Sequence, residues 1–497
     1  MAISNPGGLL NSVPSVIKQT LSTNYFDFAD AANAGWGQQY LPDLMEKEAE
    51  VFGPRTIAGF LNKIGAEEAM QADQVVWSEQ GRVHLAYTMT LTTQAGGSST
   101  NGGLITINDH IDTNATYTAS SHGVRVNDTV ILATANAVLK ALVVHVNGDA
   151  LSVEPYGAAN CTTLGADTTT GTLLVYGSEY GKGKNYVAAD GSTATDSRGA
   201  NEPDFKTYTN KPIIMKDYYE VSGSDTARIG WVEISGEEGQ SGYMWYLKAE
   251  ADTRARFNDY LEMAMLEGEL GVEGTDDVAA FIGPAATDSS GTQGLFAAIE
   301  SRGNITTGVT GVNAATDLAE FDAILAEFDS QGAIEENMLF VNRATSLAID
   351  DMLASMNSYG AGGTSYGVFE NDEDMALNLG FSGFRRGSYD FYKSDFRYLN
   401  DKATRGGIND AAGANAIRGV IIPAGTSTVY DQSLGKNLKR PFLHVRYRAS
   451  QTDNRRMKTW TTGSVGAATS ALDAMQIHFL SERCLITQGA NNFMLMK

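Results

Sequence analysis

YMWYLKAEADTRARFNDYLEMAMLEGEL, residues 243–270, is the clearest helical stretch of the chain. At 1.5 Å per residue it predicts a rod of about 42 Å. Ser241 is placed to cap its start. Glu250 precedes Arg254 by four residues, and Asp252 precedes Arg256 likewise. Each such pair supports a helix by about 0.2–0.5 kcal/mol. Apolar residues gather at the two ends, Met244, Trp245 and Leu247, then Leu261, Met265 and Leu266. The middle is polar. That distribution predicts a helix that crosses between neighbours instead of lying on one core.

Downstream, residues 296–440 alternate helix and strand, the pattern of an α/β or α+β block. Asp317 to Phe328 is an amphipathic helix, with Asp317 as cap and Glu320 at the third helical position. Met338–Val341, Tyr389–Tyr392 and Val420–Ile422 read as strands, and Thr345–Met356 as a helix. The tail adds a strand at Phe442–Tyr447, a helical Ala467–Ala474 and a strand at Gln476–Leu480.

Upstream, Tyr40 to Ala72 reads as helix interrupted at Gly53-Pro54. Two alternating stretches follow, Gln74–Glu79 and Arg82–Tyr87, split by Gly81. Gly- and Ser-rich residues 95–103 then lead into a β-rich segment over about 104–177. Within it, Asn147-Gly148 lies between two apolar runs and predicts a hairpin with a type I′ turn. The segment reads as a small β-barrel or sandwich inserted in a host domain. Residues 177–210 read as a long loop, and Ile213–Val221 and Ala227–Ile234 as strands. Residues 1–40 show no core, yet Tyr25, Phe26, Phe28, Trp36 and Tyr40 predict an arm that packs on something else.

Composition removes several classes. The 497 residues carry 36 Lys and Arg against 59 Asp and Glu, a net charge of −23. Such a chain is a poor general binder of nucleic acid, which needs a basic face. Hydrophobic residues make up 42%, enough for a large core. No apolar run reaches the roughly 18 residues that cross a bilayer. The opening Met1–Gly8 has no basic segment followed by an apolar one, so no secretory leader is expected. Cys161 and Cys484 cannot build a disulfide framework and are expected as free thiols.

The search for chemistry returns imitations. Gly181-Lys-Gly-Lys184 lacks the spacing of a phosphate loop, and Gly360–Gly363 lacks the third glycine of a dinucleotide site. Of His84, His110, His122, His145, His444 and His478, no two stand three or four apart, so no helical metal pair exists. The acidic run Glu370–Asp374 lacks the oxygen spacing of a calcium loop and reads as a solvated turn. No catalytic residue, metal ligand or cofactor site is expected. Charge is uneven: from Lys436 to Lys497 there are ten basic residues against three acidic. Two readings stay open, internal salt bridging or a basic patch that meets an acidic neighbour.

The order of these parts carries a resemblance: arm, strand pair with an inserted module, one long helix, α/β block, returning strands. It resembles the major capsid protein of tailed bacteriophages, the Hong Kong 97-like fold, an α+β architecture. The stretch Met475–Cys484, with Gly489–Phe493, is similar to capsid proteins of crAss-like and related short-tailed phages. On the resemblance, 1–70 is the N-terminal arm with its helices. Residues 71–102 and 186–240 are the limbs of the extended E-loop with adjoining P-domain strands. They carry an inserted β-barrel-like domain at 103–185. Residues 241–295 hold the spine helix of the P-domain, 296–440 the A-domain, and 441–497 the C-terminal P-domain strands.

The resemblance implies a structural protein, not an enzyme, that assembles with itself into hexamers and pentamers around double-stranded DNA. Portal, decoration and scaffolding proteins are implied partners, with only weak non-specific contact to DNA and none to membrane. The implied location is the virion capsid, after synthesis in the host bacterial cytoplasm. The aromatic arm begins within the first 30 residues, so no long removable scaffold is expected. No lysine among Lys182, Lys184 and Lys206 matches a cross-linking motif. Arg385, Arg386, Arg455 and Arg456 are the candidate intersubunit contacts, because paired arginines suit bidentate carboxylates. Two other classes compete: a virion-associated or secreted β-rich enzyme acting on polysaccharide, and a tail or baseplate component.

Overall fold

The structure is a computed structural model. It describes residues 67–80, 83–94, 102–111, 122–183, 205–224, 244–271, 291–356, 383–424, 426–431, 436–464 and 468–497. The aromatic arm, the strand expected at 227–234, and the runs at 360–363 and 370–374 lie outside them. The described chain is α+β and forms two compact units. One lies within Ile214–Ala264 and Asp453–Glu482, the other within Ile64–Ile213, Met265–Thr452 and Arg483–Lys497.

In the first unit a long helix covers a sheet. The helix, α1, runs Met244–Glu267. The sheet contains β10 (Ile213–Ser222), β19 (Lys458–Gly463) and the first part of β20 (Ala474–Thr487). β19 and β20 pair antiparallel from Lys458 with Leu480 to Gly463 with Met475. Gly463 has φ +138°, and a Cβ there would meet the carbonyl of Ala474 at 1.9 Å, so the strand end admits only glycine. The waist of α1 is not wholly polar. Thr253, Phe257 and Leu261 recur every fourth residue and are buried. Phe257 and Leu261 pack with Ile477, Phe479, Met215 and Met457. The helix therefore lies on this core, because one stripe of three residues is wide enough to dock on a sheet. Arg254 meets Glu250 at 3.3 Å as expected, whereas Arg256 turns to Asp217 at 3.1 Å. The helix expected at Ala467–Ala474 is absent from the described residues 468–474. There the chain bends to join β19 to β20, held by Gly463 N donating to Thr469 Oγ1 at 3.0 Å.

In the second unit, β2 (Val75–Gln80) and β9 (Phe205–Asn210) form a two-stranded antiparallel ribbon, with Val75 opposite Asn210 and Gln80 opposite Phe205. The chain between them holds six strands: β3 (Ala86–Thr93), β4 (Gly103–His110), β5 (Asp128–Thr134), β6 (Val138–Asn147), β7 (Ala150–Pro155) and β8 (Thr170–Ser178). They close into a barrel of order β3-β4-β7-β6-β5-β8. Alternating residues such as Met89, Leu91, Ile105, Val130, Leu132, Val143 and Leu173 point inward and are buried in their own core. The barrel starts at Ala86, so Ala86–Thr93, read from sequence as part of a limb, supplies its first strand. β3 alternates inward and outward over its whole length, and a strand with one buried face needs a barrel wall, not a solvated limb. At the expected hairpin, Asn147 pairs with Ala150. Only Gly148 of this turn has positive φ, at +59°. That is the type II′ pattern, with glycine first of two loop residues, because the register keeps Asn147 inside the strand.

The α/β block of the same unit is a six-stranded mixed sheet of order β11-β21-β15-β12-β14-β13. Its strands are β11 (Asn304–Thr306), β12 (Glu336–Val341), β13 (Gly383–Arg386), β14 (Tyr389–Asp395), β15 (Gly419–Pro423) and β21 (Met494–Met496). Helices α2 (Leu295–Arg302), α3 (Ala314–Gln331) and α4 (Arg343–Met356) accompany it. Phe321 and Phe328 of α3 and Ile349 of α4 share one core with Leu339, Phe391 and Met494 of the sheet. α3 starts one turn before the expected Asp317. Asn313 Oδ1 accepts from Thr316 N at 3.0 Å and is the cap. Asp317 and Glu320 instead fold the preceding loop back, accepting from Gly311 N and Thr310 N at 2.8 and 2.7 Å. The last strand differs from expectation in place. β21 lies between β11 and β15, so the C-terminus closes the α/β sheet, its three residues all buried. Finally, β1 (Glu67–Met70) runs parallel to β18 (Leu443–Arg448), which pairs with the end of β20. The tail of the helix expected to reach Ala72 is thus a strand, because Met70 is buried in a sheet-side cluster with Cys484 and Ile486.

Candidate interaction site

The four arginines singled out from sequence fall in different surroundings. Arg385 and Arg386 lie on β13, in the second unit. Arg386 grips Asp322 of α3 through Nε–Oδ1 at 2.5 Å and Nη2–Oδ2 at 2.7 Å. Arg385 is 63% exposed and stands 3.6 Å from Asp390. Arg455 and Arg456 precede β19 in the first unit. Arg455 lines a cavity of about 320 Å³ with Asp453, Lys458, Trp460 and Leu480. Its Nε is 3.1 Å from Glu482 Oε2, and Lys458 donates to Asp453 at 2.7 Å. The amide of Arg456 donates to Asn454 Oδ1 at 3.0 Å, and its carbonyl accepts from Ser481 Oγ at 2.6 Å.

Half of the basic residues of the tail pair with acids of the same chain. Arg446 pairs with Glu68 at 2.8 Å, Arg448 with Asp73, and Lys497 with Glu300 at 2.7 Å. With Arg455 and Lys458 paired as above, internal salt bridging accounts for half of the ten basic residues. A broad basic patch is not what these five build.

The face of the first unit's sheet opposite α1 carries an aromatic row. Trp460 and His478 stand opposite in register with rings 5.1 Å apart at 19°. Tyr218 stacks on the other side of His478 at 6.0 Å and 30°. Thr462 Oγ1 lies 2.7 Å from His478 Nε2. Tyr218 and Ile214 remain more than half exposed. This histidine is a face residue of a strand, held by stacking.

A second constellation escaped sequence reasoning. Arg302, the last residue of α2, lies against the ribbon. Its Cζ is 4.4 Å from the Tyr208 ring centre and 5.5 Å from that of Trp77. Nη1 is 3.6 Å from Glu79 Oε1, while Nη2 donates to Gln293 Oε1 at 3.3 Å and to the Thr487 carbonyl at 3.4 Å. Burial lowers the guanidinium pKa, and Glu79 and Tyr208 oppose that. Glu79 Oε1 also accepts from Trp77 Nε1 at 2.9 Å and from Gly489 N at 3.0 Å. At the other end of the ribbon Asn210, 1% exposed, uses its whole amide. Nδ2 donates to the carbonyls of Gln293 and Leu485, at 3.0 and 2.6 Å, and Oδ1 accepts from Gln293 N at 2.9 Å. One signal was present in sequence: Trp77 and Glu79 alternate onto one strand face, an aromatic beside an acid that invites a cation.

Among the described residues no group of three or more His, Cys, Asp or Glu is placed to hold a metal. Cys161 and Cys484 are free and buried. Among the described residues no helix is long and apolar enough to cross a membrane.

No family model matches the sequence. No curated protein matches it either. The chain is similar to solved structures from phages, some of them titled as capsids. A structure from Microbacterium phage Oxtober96 is 9% identical, with 91% of this chain and 95% of that chain covered and a TM-score of 0.37. The capsid structure of the Cyanophage P-SCSP1u is 8% identical, with 95% and 98% covered and a TM-score of 0.36. The mature capsid of bacteriophage PhiM1 is 9% identical, with 63% and 78% covered and a TM-score of 0.30.

Proposed function

We propose that this chain is the major capsid protein of a tailed bacteriophage, with a Hong Kong 97-like fold. It assembles into the hexamers and pentamers of an icosahedral head that encloses double-stranded DNA. The observation that carries the reading is the ribbon of β2 and β9 with a closed barrel between its strands. A two-stranded ribbon is marginal in water. It needs surfaces to lie against, and Val76 on it is 58% exposed. Neighbouring copies in a shell would cover such residues. The long helix laid on a sheet and the mixed α/β block agree with the spine helix and A-domain that the sequence resemblance implies. The crAss-like or short-tailed grouping belongs to the same proposal and rests on the closing stretch from Met475 alone.

Arg385, Arg386, Arg455 and Arg456 remain the proposed intersubunit contacts, Arg385 first among them because it is 63% exposed and stands off from Asp390 at 3.6 Å. Portal, scaffolding and decoration proteins are the proposed partners, the virion the proposed location, and contact with DNA weak, since the net charge is −23. The test is electron microscopy of the full chain expressed in bacteria, alone and with the scaffolding and portal proteins encoded beside it. Closed shells, tubes or capsomer rings support the reading. A monodisperse monomer under both conditions at high concentration sinks it.

A further inference from the structure

We infer that the cavity beside Trp460 is a binding site for an oxyanion carried on a flat, apolar body, a carboxylate or a phosphate monoester. The site is built by register. Lys458 stands opposite Leu480, and Trp460 opposite His478, on β19 and β20. Alternation puts these four side chains, with Glu482 beyond them, on the sheet face away from α1. The chain before β19 closes the space. The amide of Glu482 donates to the Arg455 carbonyl at 3.0 Å, and Ser481 Oγ donates to that of Arg456 at 2.6 Å. These bonds fix the backbone around Arg455 without using its guanidinium.

The lining has an apolar half and a polar half. His478 covers one face of the Trp460 indole, at 5.1 Å and 19°, which leaves the cavity the other face or the edge. Leu480 adds an aliphatic contact. A flat or apolar group fits there. The polar half is made of donors. Arg455 meets Glu482 through Nε, so its Nη1 and Nη2 edge is left over. Among the described residues those two nitrogens and the Trp460 indole nitrogen have no hydrogen-bond partner. Lys458 gives one proton to Asp453 and keeps two. The end of a guanidinium is shaped for two oxygens of one acid. Asp453 and Glu482 already balance the two cations, so charge alone does not gather small ions at the site. The apolar body is therefore the second requirement. At about 320 Å³ the cavity has room for both parts, since ligand pockets begin near about 300 Å³. The site needs no second copy of the chain, so the inference stands apart from the shell reading.

The experiment is a titration of tryptophan fluorescence in the full chain with benzoate and, separately, with phenyl phosphate. Benzyl alcohol supplies the ring without the charge, and inorganic phosphate the charge without the ring. Both ring-bearing oxyanions are expected to change the emission saturably, with a midpoint of about 1 mM for ligands of this size. The tighter of the two tells a carboxylate source from a phosphate ester. Benzyl alcohol and inorganic phosphate should bind about tenfold more weakly. Trp460→Phe keeps the other four of the five tryptophans and should lose the change. Arg455→Lys keeps a cation for Glu482 but loses the two-pronged edge, so its midpoint should rise about tenfold. Lys458→Met, at a side chain 42% exposed, should raise it about threefold. A signal that persists in Trp460→Phe, or one that climbs without saturating, overturns the site. So does a midpoint unchanged in the cation variants; if Arg455→Lys fails to fold by circular dichroism, Lys458→Met decides alone. Inorganic phosphate binding as tightly as phenyl phosphate overturns the two-part ligand.

Discussion

Arg386 of β13 and Asp322 of α3 form a two-pronged ion pair across 64 residues of sequence, with both oxygens of the carboxylate engaged. Asp322 is half exposed and Arg386 about a quarter, so water competes for both. A pair of this kind contributes up to about 1 kcal/mol. Its effect is on the α/β block itself. A double-mutant cycle of Arg386→Ala and Asp322→Ala is expected to return a coupling of about 0.5–1 kcal/mol in thermal or chemical unfolding. Zero coupling would mean the two side chains spend their time apart.

Arg385, one residue away, is placed the other way. It points off the edge strand, is mostly exposed, and meets Asp390 only at 3.6 Å. Arg385→Glu is expected to leave the melting temperature within about 2 °C, as surface substitutions do, and to lower the yield of assembled particles. Particle counts equal to wild type would take Arg385 out of the contact surface.

The barrel has a core of its own, and a cavity there should be felt there first. Leu132 is fully buried among Leu91, Ile105 and Leu173. Leu132→Ala is expected to cost about 2–5 kcal/mol. In calorimetry of the full chain the barrel's transition should move down while that of the α/β block keeps its place. A single transition that shifts as a whole would show that barrel and block unfold together.

Phe479 offers the matching test for the long helix. Its ring lies 6.0 Å from that of Phe257, with Arg254 above it at 5.7 Å. Phe479→Ala removes the surface on which α1 rests, at a cost of about 3–5 kcal/mol. Amide exchange in α1 around Phe257 is expected to quicken far more than exchange in the barrel. Equal protection in mutant and wild type would mean that the helix is held by something other than this aromatic contact.

What the sequence carried and what it hid follow from physics at particular residues. Period-two alternation is local, so β2, β10 and three of the block's six strands were legible, as was the stretch that became α1. Caps are less so, because Asn313 and Asp317 are both good cap residues and only the loop geometry at Gly311 decides between them. Strand membership is not local at all. Met494–Met496 is three residues long and becomes a strand only between Asn304–Thr306 and Gly419–Ile421, which are distant in sequence. Glu67–Met70 has helix-favouring residues, and a parallel partner at Val445–Arg448 overrides them. The arginine pairs were visible as pairs, but not their partners, since Asp322 and Glu482 are two among 59 acids. Arg302 was not singled out, because its meaning depends on Tyr208 and Glu79 facing it from a ribbon 90 or more residues earlier.

The two thiols make the last prediction. Burial pushes the Cys484 pKa up to about 12, against a smaller pull from Arg446. Burial, with help from Glu154, pushes Cys161 up to about 11. A thiolate is the reactive form, so the folded protein at pH 8 is expected to ignore Ellman's reagent, and both thiols should react once it is denatured. The same shifts fix a sign for stability. Folded pKa values lie above the ordinary thiol value of 9.0, so the folded state holds these protons more tightly than the unfolded one. Stability from this source is complete below pH 9 and falls as pH climbs through 11 and 12. Tyr389, hydrogen-bonded to Asp329 and pushed by burial to about 12, adds to the same alkaline fall. Urea midpoints measured from pH 7 upward should be flat at first and then decline. Cys484→Ala should decline less steeply than the wild type, and rapid labelling of Cys484 in the native state at pH 8 would place it at the surface instead.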